Sequence, residues 1–264
     1  MIILDILKNR NMIISLAKSD FKKRFVGSYF GIVWMFIQPL ATVLVYTLIF
    51  QVGFKAVPPI EDIPYVLWLI PGIVPWFYFQ DALSQGTGCL YEYNFLVKKV
   101  VFNISMLPVV KLVSVFLSHI CFLIIMIIVF IIARVQLHIE VLLIIYYSFA
   151  VSILSLGIMY FTSSINVFFK DMGQIVGIML QFGIWMAPIM YDEGLFINRA
   201  PIVYKLLKLN PFYYIVKGYR YAVIGENFPN AFKLTIYFWI VTIIIFIIGY
   251  KIFTNLKSHF SDVL

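Results

Sequence analysis

The chain has 264 residues, 63% of them hydrophobic and 12% charged, with a formal net charge of +8. A soluble domain carries about half apolar and about a quarter charged residues, so this composition excludes an ordinary soluble fold and calls for a bilayer as solvent. The basic excess does not indicate nucleic acid, because the lysines and arginines cluster beside apolar runs, where juxtamembrane charge meets anionic headgroups.

Residues 1–24 form the first predicted element. Lys8, Asn11, Ser15, Lys18 and Lys22 recur at steps of three and four, and Ile6, Ile13, Ala17 and Phe21 fall on another face. Such a helix lies flat in a membrane interface or packs on a partner. Asp5, Lys8 and Arg10 interrupt its apolar residues, so no cleavable signal peptide is expected.

Charges then divide the chain into apolar runs, each long enough to be read as a spanning helix with its backbone amides paired internally. The predicted spans are 25–54, 63–88, 109–133, 141–167, 173–191 and 232–253. The second carries Pro64, Pro71 and Pro75. The expected fold is therefore an all-α membrane protein, a single domain over 1–264 with six transmembrane helices.

Six crossings put both termini on one side. Lys8, Arg10, Lys18, Lys22, Lys23 and Arg24 precede the first span and place that side in the cytoplasm. One segment argues back. Residues 192–233 then lie outside, yet hold Arg199, Lys205, Lys208, Lys217, Arg220 and Lys233. That segment is also too apolar for a plain loop, and its pieces, broken at Asn210-Pro211, suit short re-entrant or interfacial half-helices.

Chemical motifs are sparse. There is no G-x-x-x-x-G-K followed by Ser or Thr, so ATP phosphates find no cradle of that kind here, and no H-E-x-x-H. Cys89 and Cys121 read as small hydrophobes, and no metal site is expected. His119, the one histidine inside a span, reads as a satisfied packing residue rather than a proton relay. Asp81 reads either as a helix-end carboxylate in contact with water or as a partner for a basic residue in the bundle. Gly27 with Gly31, and Gly173 with Gly177, have the spacing that lets helix backbones approach, although so short a pattern also arises by chance. Phe30, Trp34, Tyr46, Trp76, Phe182 and Trp185 are interface anchors or packing residues individually, and as a set could line a pathway and stack on sugar rings. Residues 93–108, YNFLVKKVVFNISMLP, set Lys98 and Lys99 among Phe95, Leu96, Val97, Val100, Val101 and Phe102. So dense an apolar patch on a short loop wants a partner or a headgroup layer.

Five stretches carry a resemblance. Residues 20–50, DFKKRFVGSYFGIVWMFIQPLATVLVYTLIF, are similar to the first spanning segment of ABC-2-type permeases that export O-antigen, capsular polysaccharide or teichoic acid. The loop FLVKKVVFNISMLP, residues 168–191 (FFKDMGQIVGIMLQFGIWMAPIMY), residues 209–225 (LNPFYYIVKGYRYAVIG) and the terminal HFSDVL resemble the same family in the same order.

The resemblance implies a non-enzymatic permease subunit in the bacterial cytoplasmic (inner) membrane. It would be a homodimer docking two copies of an ABC ATPase that binds the ATP and magnesium, with no cofactor in this chain. It implies a coupling helix at 94–103, with Asn94, Phe95, Leu96, Val97, Lys98, Lys99, Val100, Val101 and Phe102 facing the ATPase. It implies gate helices at about 195–225, with Asn210, Pro211, Phe212, Tyr213 and Tyr214 at the break. The substrate would be a polyprenyl-diphosphate-linked glycan. Its diphosphate would meet Lys22, Lys23 and Arg24 through charge-assisted hydrogen bonds. The competing expectations are an exporter of another amphiphile, an intramembrane enzyme on polyprenyl lipids and an ion-coupled secondary transporter. The enzyme needs clustered carboxylates or histidines. The secondary transporter needs midplane ionisable groups and internal repeats. The sequence shows neither.

Overall fold

The computed structural model describes residues 2–27, 29–60, 63–98 and 103–264, with side chains from residue 5 on. Every regular element among them is helical. Two helices open the chain, α1 (Ile2–Lys8) and α2 (Arg10–Lys23). Then come α3 (Trp34–Tyr46), which continues as a π-helical stretch Thr47–Gly53, and α4 (Tyr65–Glu92). A four-residue α5 (Asn94–Val97) precedes α6 (Leu107–Ile132), α7 (Leu143–Phe168) and α8 (Met172–Met186). Three short helices follow, α9 (Phe196–Arg199), α10 (Pro201–Leu209) and α11 (Pro211–Ile224). The chain ends with α12 (Ala231–Leu256) and α13 (Phe260–Val263).

Five helical segments, Gly31–Gly53, Tyr65–Glu92, Ile104–Ile132, Ile139–Phe168 and Ala231–Val263, are long and apolar enough to cross a membrane. Helix α8 has 15 residues, about 22 Å at 1.5 Å per residue, short of the roughly 30 Å hydrocarbon core. The predicted span 173–191 therefore overstates its helix. The missing length is non-helical: Ala187, Ile189 and Met190 are buried, and the Met190 carbonyl accepts from Tyr65 Oη at 2.6 Å. Buried irregular backbone needs partners for its polar groups, and the Met190 carbonyl has one. The first predicted span, 25–54, starts late, because the chain turns before a 3-10 turn at Gly31 leads into α3.

Helices α4, α7 and α11 form the centre, with α6 and α12 outside them and α3 and α8 at the margin. No residue of α3 is buried. The N-terminal helix is broken at Asn9; Lys8, Lys18 and Lys22 are exposed, while Ile13, Ala17 and Asp20 are buried on the side that packs on α6. Both chain ends meet. Asn103 Nδ2 donates to Asp5 at 3.3 Å, Lys257 donates to Asn103 Oδ1 at 3.0 Å, and Ser261 Oγ donates to the Val97 carbonyl at 3.4 Å.

Neither glycine spacing makes a close backbone approach within the single chain. Gly27 and Gly31 have φ of 86° and 49° and precede α3. A Cβ on Gly173 or Gly177 would meet nothing within 4 Å. The close approach lies elsewhere, between α7 and α12: a Cβ on Gly157 would sit 2.8 Å from Phe246 Cα, and one on Gly249 would strike the Gly157 carbonyl. Backbone cannot swing aside as a side chain can. Gly249→Leu is expected to lower stability by about 1–3 kcal/mol through overpacking, whereas Gly177→Ala, facing open space, should cost nothing. Thermal midpoints of the two variants in detergent check the contrast.

Candidate functional site

A cavity of about 800 Å³ opens between α3, α4, α6 and α8. Its polar lining is mostly uncharged: Gln38, Thr42, Gln80, Ser84, Gln85 and Gln181, with Asp81 and Arg24 the charged members. Its apolar lining is rich in rings, including Trp34, Tyr46, Trp76 and Trp185. Amide and hydroxyl groups both donate and accept. Mixed with aromatic faces, they suit a ligand bearing many hydroxyls and little charge. Trp76 Nε1 and Ser118 Oγ are buried without a partner among the described residues and belong to the lining.

Four of the six predicted pathway aromatics are therefore together. Phe30 packs edge-on against Trp34 with centroids 5.8 Å apart, just outside the lining. Phe182 is 70% exposed and faces away. The four glutamines were missed by sequence reasoning. Uncharged amides inside otherwise apolar runs, as at Gln38 and Gln181, were the available signal.

Of the predicted phosphate-binding residues, Lys22 and Lys23 are exposed on α2 and Arg24 reaches the cavity. Arg24 also donates to Ser114 Oγ at 3.0 Å and lies 3.6 Å from Asp20. Asp20 is the centre of a buried knot, accepting from Lys111 Nζ at 2.7 Å and Tyr93 Oη at 2.8 Å. Lys111 also meets Glu92 at 2.5 Å. One cluster thus ties α2, the end of α4 and the start of α6. Asp81 forms no ion pair among the described residues and faces the cavity.

Just beyond the knot, Asn94 and Phe95 are exposed, Leu96 is half-buried, Val97 is buried and Lys98 is exposed. The predicted coupling helix at 94–103 is helical over Asn94–Val97. Lys99, Val100, Val101 and Phe102 lie outside the described residues.

At the opposite end, the predicted break is a working helix start. Asn210 Oδ1 accepts from Phe212 N at 3.0 Å, and Asn210 Nδ2 donates to the Met186 carbonyl at 3.2 Å, capping two helices at once. Pro211 occupies the first turn of α11, where its missing N–H costs nothing. Phe212 packs on Trp76 at 4.9 Å, Tyr213 Oη donates to Glu193 at 2.9 Å, and Tyr214 stacks on Phe238 at 4.8 Å.

Helix α11 carries the second ionic knot. Arg220 is fully buried and donates to the carbonyls of Trp68 at 3.3 Å, Pro188 at 2.9 Å and Ile189 at 2.6 Å, with its guanidinium 3.5 Å from the Trp68 ring centre. Lys217 pairs with Glu193 at 3.0 Å and with Glu226, which also accepts from Trp68 Nε1 at 2.7 Å. Two of the six basic residues that argued against the topology are thus internal and paired, and carry no headgroup signal. Deeper in the bundle, His119 Nε2 lies 3.2 Å from Ser148 Oγ and 3.0 Å from Tyr219 Oη. Its ring stacks on Tyr78 at 4.5 Å. The ring is hydrogen-bonded at Nε2 only: Nδ1 is buried with no partner among the described residues, so the expected satisfied histidine is half met.

A helical bundle with five apolar helices long enough to span a membrane and a polar, ring-lined cavity at its margin fits a membrane protein that handles a polar ligand. The sequence matches the ABC-2 type transporter family over residues 12–224, and the chain belongs to that family. It is 24% identical to the O-antigen export system permease protein RfbA of Myxococcus xanthus, over 98% of this chain and 97% of the relative. It is 25% identical to the protein of the same name from Klebsiella pneumoniae, over 96% and 95%.

Proposed function

We propose that this chain is the permease subunit of an ATP-driven exporter that moves a polyprenyl-diphosphate-linked polysaccharide across the bacterial inner membrane. The observation that carries the reading is end-to-end similarity to permeases named for O-antigen export, in a chain whose cavity is lined by glutamines and tryptophans. The chain supplies the path. A separate ABC ATPase, two copies per permease dimer, binds ATP and magnesium and supplies the work.

Six crossings with both termini cytoplasmic fit best. Contacts of both chain ends with Val97 and Asn103 support an even number of crossings, with α8 and its buried extension as the sixth. The unburied α3 and α8, which buries only Met172, Val176 and Leu180, flank the open cavity, and a second copy closing over them would turn an open groove into a channel. Trp34, Tyr46, Trp76 and Trp185 would then stack on sugar rings, and Arg24, with Lys22 and Lys23 beside it in the interface, would meet the diphosphate. Helices α9 to α11 form the outer gate, with Asn210, Pro211, Phe212, Tyr213 and Tyr214 at its hinge. ATP binding in the partner acts on Asn94, Phe95, Leu96 and Lys98, with the adjacent 99–102 segment, and shifts the bundle between closed and open populations. Val97, being buried, anchors that surface rather than touching the partner.

The test has two arms. Deleting the gene is expected to remove surface polysaccharide and leave lipid-linked glycan inside the cell; unchanged surface glycan would point to another amphiphile as cargo. Co-expression with the ABC ATPase should yield a complex whose ATPase activity falls on Phe95→Ala or Leu96→Ala. Failure of any ATPase to bind would leave the ion-coupled transporter as the better reading.

A further inference from the structure

Behind α3 lies a second cavity, of about 220 Å³, whose every lining side chain is apolar. It runs between α3, α4 and α6, with Val43, Val74 and Met126 on its walls. Pro39, Phe77 and Phe122 line this groove and the polar cavity alike. The shared wall is a cluster of phenyl rings, Phe36 to Phe122 at 5.9 Å and Phe77 to Phe122 at 6.3 Å between centroids. Pro39, inside α3, has no N–H to offer the preceding turn, so the helix is weakest where the two spaces touch.

A polar cavity and an apolar groove that share a wall together fit one amphiphile. The groove cannot satisfy any hydrogen-bonding group, so only hydrocarbon enters it without penalty. The cavity takes the polar part: its glutamines face the glycan, and Arg24, already held by Ser114 and Asp20, meets the phosphate at the side away from the carboxylate of Asp81 only if the two charges of the lining stay apart. We propose that the groove holds the isoprene units of the carrier lipid nearest its phosphate, while the phosphate end and glycan occupy the cavity and the rest of the tail stays in the bilayer. This rests on the export reading above.

The test uses the full chain with its ATPase in nanodiscs of phosphatidylethanolamine and phosphatidylglycerol, with a diazirine-bearing polyprenyl phosphate as probe. Labelling is expected on peptides containing Val43 and Met126, competed by excess undecaprenyl phosphate and not by added phosphatidylglycerol. Val43→Trp, which fills the groove, should weaken that competition about tenfold, what roughly two buried CH2 groups are worth. The competition on unaltered protein decides the matter even if that variant folds poorly. Labelling that neither lipid displaces, or that both displace equally, assigns the groove to bilayer lipid and overturns the proposal. The export reading fails separately. Competed labelling with surface polysaccharide intact after gene deletion keeps the groove and removes the cargo, whereas lost polysaccharide with uncompeted labelling removes only the groove.

Discussion

Lys217→Met is expected to destabilise the protein by about 3–5 kcal/mol, the cost of stranding a buried charge by removing its partner. Lys217 is 5% exposed and stands between Glu193 at 3.0 Å and Glu226. The two glutamates do not fare alike without it. Glu226 keeps the Trp68 indole at 2.7 Å and Arg220 at 3.9 Å, whereas Glu193 keeps, among the described residues, the Tyr213 hydroxyl at 2.9 Å and its own backbone N–H but no cation. Glu193 Oε2 already lacks a partner. The double variant Lys217→Met with Glu193→Gln should therefore recover much of the loss, because it removes the stranded charge itself. Cys89 is fully buried and serves as the reporter: a thiol-reactive dye reaches it on unfolding. A double variant no more stable than the single one would show that Glu193 is not the source of the cost.

The same pair sets a pH signature. Burial alone would raise the Glu193 carboxyl, but Lys217 outweighs it and holds the group below its ordinary 4.5. Burial would likewise lower the Lys217 ammonium, and Glu193 and Glu226 hold it above its ordinary 10.5. The depressed carboxyl contributes stability above 4.5 that is lost as pH falls through its lower folded value, and the raised ammonium contributes below 10.5 and loses it as pH rises through its folded value. The pair thus leaves stability flat between about pH 5 and about pH 10. In Lys217→Met, Glu193 is buried without its cation, so the variant should gain stability on mild acidification, the opposite sign.

This knot was not legible in the sequence. Lys217 and Arg220 follow Asn210-Pro211 in a segment rich in other lysines, and in that company they read as loop charges. Their spacing of three within an aromatic run, bracketed by Glu193 and Glu226, is the signal for paired internal charge. Lys111 likewise reads as the boundary of an apolar run, yet it is 3% exposed. Charge-free runs locate the long helices well, since backbone pairing leaves lipid-exposed chain no other choice. They fail at α8, where length is supplied by irregular backbone that Arg220 and Tyr65 satisfy from far away in sequence. Hydrophobic pattern cannot separate Trp185 from Phe182 either: which ring meets the cavity depends on how α8 turns against α4, a tertiary matter.

Lys111→Met tests the other knot, and its effect should be local. The ammonium joins α6 to Asp20 of α2 at 2.7 Å and to Glu92 at 2.5 Å. Glu92 is half exposed and can turn to solvent, while Asp20, 5% exposed, keeps Tyr93 and, at 3.6 Å, Arg24. Asp20 is therefore left with a distant cation, and the docking of α2 should weaken by about 3 kcal/mol, the lower end for a broken buried pair. Because α2 packs mainly on α6, it can detach while the bundle stands. Limited trypsin digestion should then cut at Lys18, Lys22 and Lys23 far faster than in the unaltered protein, with little change in the exposure of Cys89. Glu92 and Tyr93 immediately precede α5, the surface proposed to receive the ATPase, and Arg24 reaches the cavity from the same cluster. Detaching α2 should thus also weaken the coupling of ATP hydrolysis to glycan release in reconstituted vesicles. Adding Asp20→Asn removes the uncompensated charge and should restore protease resistance, since the amide oxygen it introduces still accepts from Tyr93. Restored docking without restored coupling would mean that the charge itself, and not the position of α2, links the ATPase surface to the cavity.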